Sequence, residues 1–268
     1  MTDFGLIGHP VGHSMSKVMH EAAFTELGLE YTYGLYDVKI DELKLFMDNA
    51  LFKGLNVTIP LKTAIQNYTN ELSEEARVIG SVNTVDFKKK LIGHNTDVIG
   101  FMKMLEENDL DVKDRTYLVL GAGGAGRGIT FKLALEGARV YLYDIDKAKS
   151  TDLADDVLKK TGIRVEPIPQ YEDIMKKIDV LVNATPVGMY PKVDDIPITA
   201  RLLNKTISVV DIVYNPAETR LLRQARAIGC QTINGVSMLV QQGAESLKIW
   251  LDIDPPTDIM EEVVIANL

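Results

Sequence analysis

A chain of 268 residues, 46% hydrophobic and 25% charged, is long enough for two domains with cores of their own and has an ordinary globular balance, which excludes disorder as its organising state. A net charge of −9 argues against a nucleic-acid partner, which would call for a basic face. Cys230 is the only cysteine, so no intrachain disulfide can form and a reducing compartment is the simpler reading. The opening MTDFGLIGHP lacks the charged and apolar regions of a signal peptide, and no run approaches about 18 apolar residues, so a cytoplasmic protein is expected.

Residues 4–7 read as a first strand, followed by the turn-rich GHPVGHSMS and a helix over 17–27 that Gly28 closes. Met19, Ala22, Ala23 and Leu27 fall on one face of that helix. A strand over 31–38, a helix over 40–50 and a strand over 54–59 that stops at Pro60 continue the alternation. Helical stretches follow at 62–67 and 73–79, and SVNTVDF with KKLIGHN predicts a hairpin around 88–90. A helix over 98–107 leaves this first region, with a boundary near Phe101.

The second region predicts strands at 117–120, 139–143, 164–166, 180–183, 209–212 and 231–233. Helices are expected between them at 129–136, 151–161, 174–177 and 219–228, the pattern of a doubly wound α/β sheet. Helices at 238–249 and 258–266 end the chain, and the four histidines show no zinc spacing.

The stretch TYLVLGAGGAGRGITFKLALEGARVYLYD, 116–144, is strand, turn, helix and strand, with G-x-G-x-x-G at Gly121, Gly123 and Gly126 in the mouth of the helix. Gly121 permits the tight turn, Gly123 has no Cβ to hold a pyrophosphate off the backbone, and Gly126 lets helix and strand pack closely. Free amides at the helix start favour phosphate, and Asp144 ends the second strand where an acid can accept an adenosine ribose hydroxyl. A dinucleotide is the expected ligand.

Several polar residues of the first region sit at loop positions, each with a structural reading beside the chemical one. Ser14 and Ser16 flank the start of the first helix, as an N-cap or as two hydroxyls for a carboxylate. Lys62 follows GLNVTIP, as a surface charge or a catalytic ammonium. Asp97 closes GHNTD, as a helix cap or a catalytic carboxylate, and Asn83 with Thr84 could simply satisfy a turn.

HSMSKVMH at 13–20, GLNVTIPLK at 54–62, IGSVNT at 79–84, GHNTD at 93–97, GAGGAGRG at 121–128, NATPVGM at 183–189, DIVYNPAET at 211–219 and NGVSMLVQQGA at 234–244 resemble shikimate dehydrogenase, in order over nearly the whole chain. The resemblance implies reversible reduction of 3-dehydroshikimate to shikimate by NAD or NADP in aromatic amino-acid biosynthesis. It implies that Ser14 and Ser16 hold the substrate carboxylate, that Thr58, Asn83, Asp97, Tyr214 and Gln242 line the ring pocket, and that Lys62 and Asp97 form the catalytic pair. Gln242 is chosen over Gln241 by its register before Gly243 and Ala244. On the cofactor side it implicates Gly121, Ala122, Gly123, Gly124, Ala125 and Gly126, the segment from Asp144 through Lys147 to Lys149, and Thr185, Ile212 and Gly235.

The expected architecture is a substrate-binding domain over 1–101 completed by 238–268, with a Rossmann-type dinucleotide domain over 102–237, the site in the cleft between them and closure on binding. The expected partner is a small molecule, with no nucleic acid and no membrane, and a homodimer is left open. Three residues or segments depart from the family pattern. Lys17 stands where proline is common and Glu21 where asparagine is, while YDIDKAKS replaces the N-R-T-like turn whose arginine pairs with the 2′-phosphate of NADP. Asp144 would repel that phosphate and favour NAD, with Lys147 and Lys149 as partial compensation. The rival readings are a quinate or mixed quinate/shikimate dehydrogenase and a non-catalytic metabolite sensor; retention of both Lys62 and Asp97 argues against the sensor.

Overall fold

The computed structural model describes residues 2–268. Contacts divide the chain into a first unit that ends at Met102 and resumes over Leu239–Asn267, and a second unit, Lys103–Met238.

In the first unit, strands β1 (Phe4–Gly8), β2 (Tyr33–Asp37), β3 (Gly54–Val57), β4 (Glu71–Leu72), β5 (Thr84–Asp86) and β6 (Ile92–His94) form one sheet in the order β2-β1-β3-β5-β6-β4. β1 pairs in parallel with β2 and β3, whereas β5 runs antiparallel to both β3 and β6. That reversal has a geometric consequence. The start of β5 and the end of β6 come to the same edge as the end of β3, so residues 57–62, 83 and 95–97 converge from three chain segments. Helices α1 (Ser16–Glu26), α2 (Leu43–Asp48), α3 (Glu74–Ile79) and α4 (Asp97–Glu106) complete this part of the chain.

The second unit contains β7 (Thr116–Leu120), α5 (Gly124–Leu135), β8 (Arg139–Tyr143), α6 (Lys147–Thr161), β9 (Glu166–Pro167), β10 (Val180–Asn183), β11 (Ser208–Asp211), α7 (Arg220–Ile228) and β12 (Thr232–Ile233). All its strand pairs are parallel, in the order β12-β11-β10-β7-β8-β9. Read from β7, this is the doubly wound arrangement, with the order reversing between β7 and β10. Full burial of β10 and β11 explains their near-continuous apolar sequences.

α8 (Val236–Leu251) and α9 (Thr257–Ala266) close the chain. α8 is fastened to the first sheet by Trp250, whose indole Nε1 donates to the Val85 carbonyl at 3.0 Å and whose ring stacks on Phe4 with centroids 5.0 Å apart. A Cβ on Gly54 would come within 2.4 Å of that ring, so the glycine makes room for it.

Several elements differ from the sequence reading. No helix forms at 174–177; successive i to i+3 bonds from Ile174 to Tyr171 and from Lys177 to Ile174 make turns, since four residues cannot offset the cost of helix nucleation. The helix expected at 62–67 is a five-residue 3-10 segment, Ala64–Tyr68, and the one at 40–50 shortens to α2. α6 starts four residues before the expected 151, because the Asp146 carboxylate accepts the Ala148 amide and caps the helix there. The strand at 164–166 shifts to β9, at the sheet edge where Pro167 needs no donor partner. β4, two residues long, is too short to leave a periodic signal.

His20 is fully buried on α1, stacked on Tyr33 at 4.4 Å, with Nδ1 bonded to the Ser16 carbonyl at 2.7 Å. Its Nε2 meets no partner in hydrogen-bond geometry, although the nearby Gly243 backbone favours the charged form. Burial outweighs both backbone contacts and pushes its pKa down from 6.5 to about 4. The folded protein therefore refuses a proton that the unfolded chain accepts below pH 6.5. Stability is full above that pH, falls between about 6.5 and 4, and levels off below, a loss of about 3 kcal/mol at ~1.4 kcal/mol per pKa unit. Urea unfolding of a His20→Gln variant at pH 7.0 and 4.5 should show this acid sensitivity reduced; an unchanged difference between the two pH values would rule out His20 as its source.

The glycine loop gives a paired expectation. A Cβ on Gly126 would sit 2.0 Å from the Gly121 carbonyl oxygen, while one on Gly123 would meet nothing within 4 Å. Gly126→Ala should lower unfolding free energy by roughly 1–3 kcal/mol through overpacking, and Gly123→Ala by less than about 0.5 kcal/mol. Equal effects in urea titrations would contradict this packing assignment.

Candidate active site

The converging edge of the first sheet holds a buried ion pair. Lys62 Nζ lies 2.6 Å from Asp97 Oδ2, with side-chain exposures of only 13% and 11%. The Asn83 amide nitrogen donates to the other carboxylate oxygen, Asp97 Oδ1, at 3.0 Å, and contacts Thr96 Oγ1 at 2.9 Å and Gln242 Oε1 at 3.3 Å. Asn83 Oδ1 accepts the Thr96 amide at 2.7 Å, which locks the direction of the amide group. The capping role that is one alternative for Asp97 is taken by Asn95, whose Oδ1 accepts the Val98 amide at 3.4 Å, so the Asp97 carboxylate is left to Lys62 and Asn83. A buried charge pair needs its remaining hydrogen-bonding capacity met, and Asn83 supplies that.

At the start of α1, the Ser14 hydroxyl donates to Ser16 Oγ at 3.1 Å and accepts the Ser16 amide at 3.2 Å. Ser14 therefore meets the helix-start amide, and Ser16 makes no side-chain cap. Lys17 and Glu21 stand 4.0 Å apart as an i,i+4 pair on the helix surface. Thr58 donates its amide to the Ile7 carbonyl at 2.8 Å and packs its methyl against Gly8, where a Cβ would come within 2.3 Å. Gln242 is one member of a stripe on α8: Gln242 reaches Asn83, Ser246 reaches Asn56 at 2.9 Å and Thr84 at 2.8 Å, and Trp250 anchors the end.

The second unit carries the remaining sequence-predicted residues, Tyr214 among them. Gly121 has φ +104°, a conformation that disfavours side chains, and its amide donates to the Tyr143 carbonyl at 2.7 Å. The Ala122 amide donates to Asp144 Oδ2 at 2.7 Å. Two loop amides are thus committed within the chain, and the start of α5, which has no side-chain cap and opens at Gly123, is the part suited to a phosphate. Asp144 Oδ1 also accepts the Asp146 amide at 2.9 Å, so its carboxylate is fixed at the end of β8 beside Ile145, which is 92% exposed. Lys147 and Lys149 are exposed on the first turn of α6, with Lys149 4.0 Å from Asp146. This donor set, open glycine and oriented strand-end acid fit a dinucleotide.

Three buried residues brace the neighbouring loops. Asn183 Nδ2 donates to Asp211 Oδ1 at 2.9 Å and to the Val187 carbonyl at 3.2 Å, while its Oδ1 accepts the Thr185 amide at 3.1 Å and hydroxyl at 2.6 Å. Asp211 also accepts the Val213 amide at 3.1 Å and the Thr219 hydroxyl at 2.7 Å. Burial pushes the Asp211 pKa up to about 6, against the pull of these bonds. Gly235 approaches so closely that a Cβ would lie 2.1 Å from the Ile212 carbonyl oxygen, which brings these two sequence-predicted residues together.

Sequence reasoning passed over Tyr33, Asn56, Asn183, Asp211, Thr219 and Ser246. The signal for three of them is a polar residue inside or ending a buried strand: Asn56 in GLNV, Asn183 in VLVN and Asp211 in SVVD.

Comparison with known proteins follows the same lines. The family profile described as the shikimate dehydrogenase substrate-binding domain matches residues 6–85, and that of the shikimate 5'-dehydrogenase C-terminal domain matches 235–265. The shikimate dehydrogenase (NADP(+)) of Methanocaldococcus jannaschii is 41% identical, covering 98% of this chain and 96% of its own. A crystal structure of a shikimate dehydrogenase in complex with NADP+ superposes with a TM-score of 0.93 at 38% identity, covering 99% of this chain and 95% of that one. A quinate dehydrogenase from Corynebacterium glutamicum in complex with NAD gives a TM-score of 0.90 at 34% identity, with 98% of each chain covered. No helix among the described residues is long and apolar enough to cross a membrane. With identity at this level sustained over nearly its full length, the chain belongs to the shikimate dehydrogenase family.

Proposed function

We infer that the protein is an NAD(P)-dependent oxidoreductase that interconverts 3-dehydroshikimate and shikimate, with Lys62 and Asp97 carrying the proton chemistry. The observation that carries this reading is the buried Lys62–Asp97 pair, oriented by Asn83, which Gln242 contacts in turn. A binding-only protein would have no need to bury and order these two charges.

The nicotinamide supplies the hydride. As negative charge builds on the ketone oxygen, the Lys62 ammonium stabilises it and then delivers the proton that completes the hydroxyl. In the reverse direction the same nitrogen takes the proton back. Asp97 fixes the ammonium through its Oδ2, 2.6 Å away, and can accept a substrate hydroxyl with remaining lone pairs. Ser14 and Ser16 are assigned to the substrate carboxylate, and Thr58, Asn83, Tyr214 and Gln242 to the rest of the ring pocket. The start of α5, with Thr185, Ile212 and Gly235, is assigned to the dinucleotide. The cytoplasm is the location this role and the single cysteine favour.

Within NAD(P), we assign NAD as the preferred cofactor. The fixed Asp144 carboxylate supports this, because it would accept a ribose hydroxyl and repel a 2′-phosphate, and the exposed Ile145 offers that phosphate no charge. The quinate reading stays alongside on the likeness to an NAD-bound quinate dehydrogenase, since both substrates carry a carboxylate and ring hydroxyls.

Reduced-cofactor formation should be measured with shikimate or quinate, each with NAD or NADP. Shikimate with NAD is expected to be fastest. A strong preference for NADP would overturn the cofactor assignment, a preference for quinate the substrate, and inactivity of folded protein on all four pairs the enzymatic reading. The Asp144→Asn, Ile145→Arg double variant should move preference towards NADP. Lys62→Ala should lower kcat by about 10²–10⁴ while KM changes by less than about threefold. Near-normal turnover of that variant would remove Lys62 from the chemistry.

A further inference from the structure

Asp211 places a carboxylate in the interior of the second unit, fully buried at the end of β11. The three groups bonded to it are all donors: Asn183 Nδ2 and the Val213 amide meet Oδ1 at 2.9 and 3.1 Å, and the Thr219 hydroxyl meets Oδ2 at 2.7 Å. They belong to two different loops. Asn183 opens the loop that carries Thr185, whereas Val213 and Thr219 lie in the loop that leads from β11 through Tyr214 to α7.

Desolvation works against a buried carboxylate, and an apolar side chain would fill the strand end without that cost. What the carboxylate supplies is acceptors alone, in two directions at once. Asn183 is unable to turn its amide round, because its Oδ1 already accepts the Thr185 amide at 3.1 Å and hydroxyl at 2.6 Å. Thr185 Oγ1 in turn accepts the Val187 amide at 3.2 Å, so its proton is committed within the chain and its methyl stands beside the glycine loop. A Cβ on Gly121 would come within 3.0 Å of that methyl, Thr185 Cγ2. On the other side, the Val213 carbonyl accepts the Gly235 amide at 3.2 Å, and Thr219 Oγ1 accepts the Leu222 amide at 3.3 Å and so starts α7. One buried group thus joins the loop that meets Gly121 to the loop that meets Gly235.

We propose that Asp211 is a positioning residue for dinucleotide binding: its two oxygens tie the Thr185 loop to the 212–219 loop, and so hold Thr185 beside Gly121 and Ile212 beside Gly235 at a fixed separation. This rests on the dinucleotide reading given above. Asp211 is buried beneath the loops and acts through Asn183, Val213 and Thr219. Loops held in their binding geometry beforehand spare the ligand the cost of ordering them.

The test is Asp211→Asn, which keeps the shape and replaces one acceptor by a donor. Whichever way the new amide turns, its nitrogen faces a donor, either the Thr219 hydroxyl or the Asn183 and Val213 nitrogens, and one loop loses its hold. Titration with NADH and with NADPH, followed by nicotinamide fluorescence, reads binding without turnover. The Kd of whichever dinucleotide binds the wild type more tightly should rise about tenfold, the scale of one buried hydrogen bond lost. Thr219→Val should raise it about fivefold, and Thr219→Ser, which keeps the hydroxyl, by less than about twofold. Met175→Ala, which opens a cavity in the core of the same unit, should lower the unfolding temperature and leave Kd within about twofold of wild type.

An unchanged Kd in Asp211→Asn, equal losses in the two Thr219 variants, or a loss in Met175→Ala as large as that in Asp211→Asn would each overturn the proposal. If Asp211→Asn does not fold by circular dichroism, the contrast between Thr219→Val and Thr219→Ser decides it. A folded wild type that binds neither dinucleotide overturns the dinucleotide reading and this proposal with it, whereas a wild type that binds, with an indifferent Asp211→Asn, counts against Asp211 alone.

Discussion

The first unit depends on the Asn83 side chain. One amide group, with its oxygen fixed by the Thr96 backbone and its nitrogen directed at Asp97, decides how the Asp97 carboxylate faces Lys62. Two charges buried to this degree cost several kcal/mol each to desolvate, and an unpaired or misaligned one would be pushed to neutralise. Asn83 can do this because β5 runs against β3 and β6, which sets its first residues beside the ends of both neighbours. An all-parallel sheet would have sent residues 83 and 97 to opposite edges.

The second unit solves a different problem by a regular sheet. Parallel strands bring every strand end to one edge, and the reversal of order between β7 and β10 leaves a crevice there for the glycine loop and the loop after Asn183. Its polar bracing, through Asn183, Asp211 and Thr219, lies beneath the loops. Such groups stay in a core only when every donor and acceptor is satisfied, and the Asp211 carboxylate has three donors. In each unit, buried polar groups in apolar strands lie beside that unit's candidate residues.

Two charged residues on α1 balance each other locally. Lys17 and Glu21 are one turn apart, so the charge of one is met by the other on the helix surface, while Ser14 and Ser16 share a hydrogen bond. Asp144 has a double duty of another sort. Its carboxylate closes the glycine loop by taking the Ala122 amide and, at the end of β8, also accepts the Asp146 amide. A substitution there also touches the loop.

The sequence by itself determined the α/β alternation, the glycine loop with its strand and helix, the hairpin, and the order of family motifs that named Lys62, Asp97, Asn83 and the serines. These are local signals: periodicity, turn residues and spacing, each set by a few neighbours along the chain. Short or capped pieces were misjudged for the same reason, as with the turns at 174–177 and the start of α6, where one side-chain bond outweighs periodicity. Only the tertiary structure decided that Asn95 caps α4 and so frees Asp97, that Asn83 turns towards both Asp97 and Gln242, and that Tyr33, Asn56 and Ser246 join segments up to 190 positions apart. A hydrogen bond is set by distance and direction in space, and the partners of these groups are supplied by strand register and helix packing, which leave no pattern in the residues that lie between them.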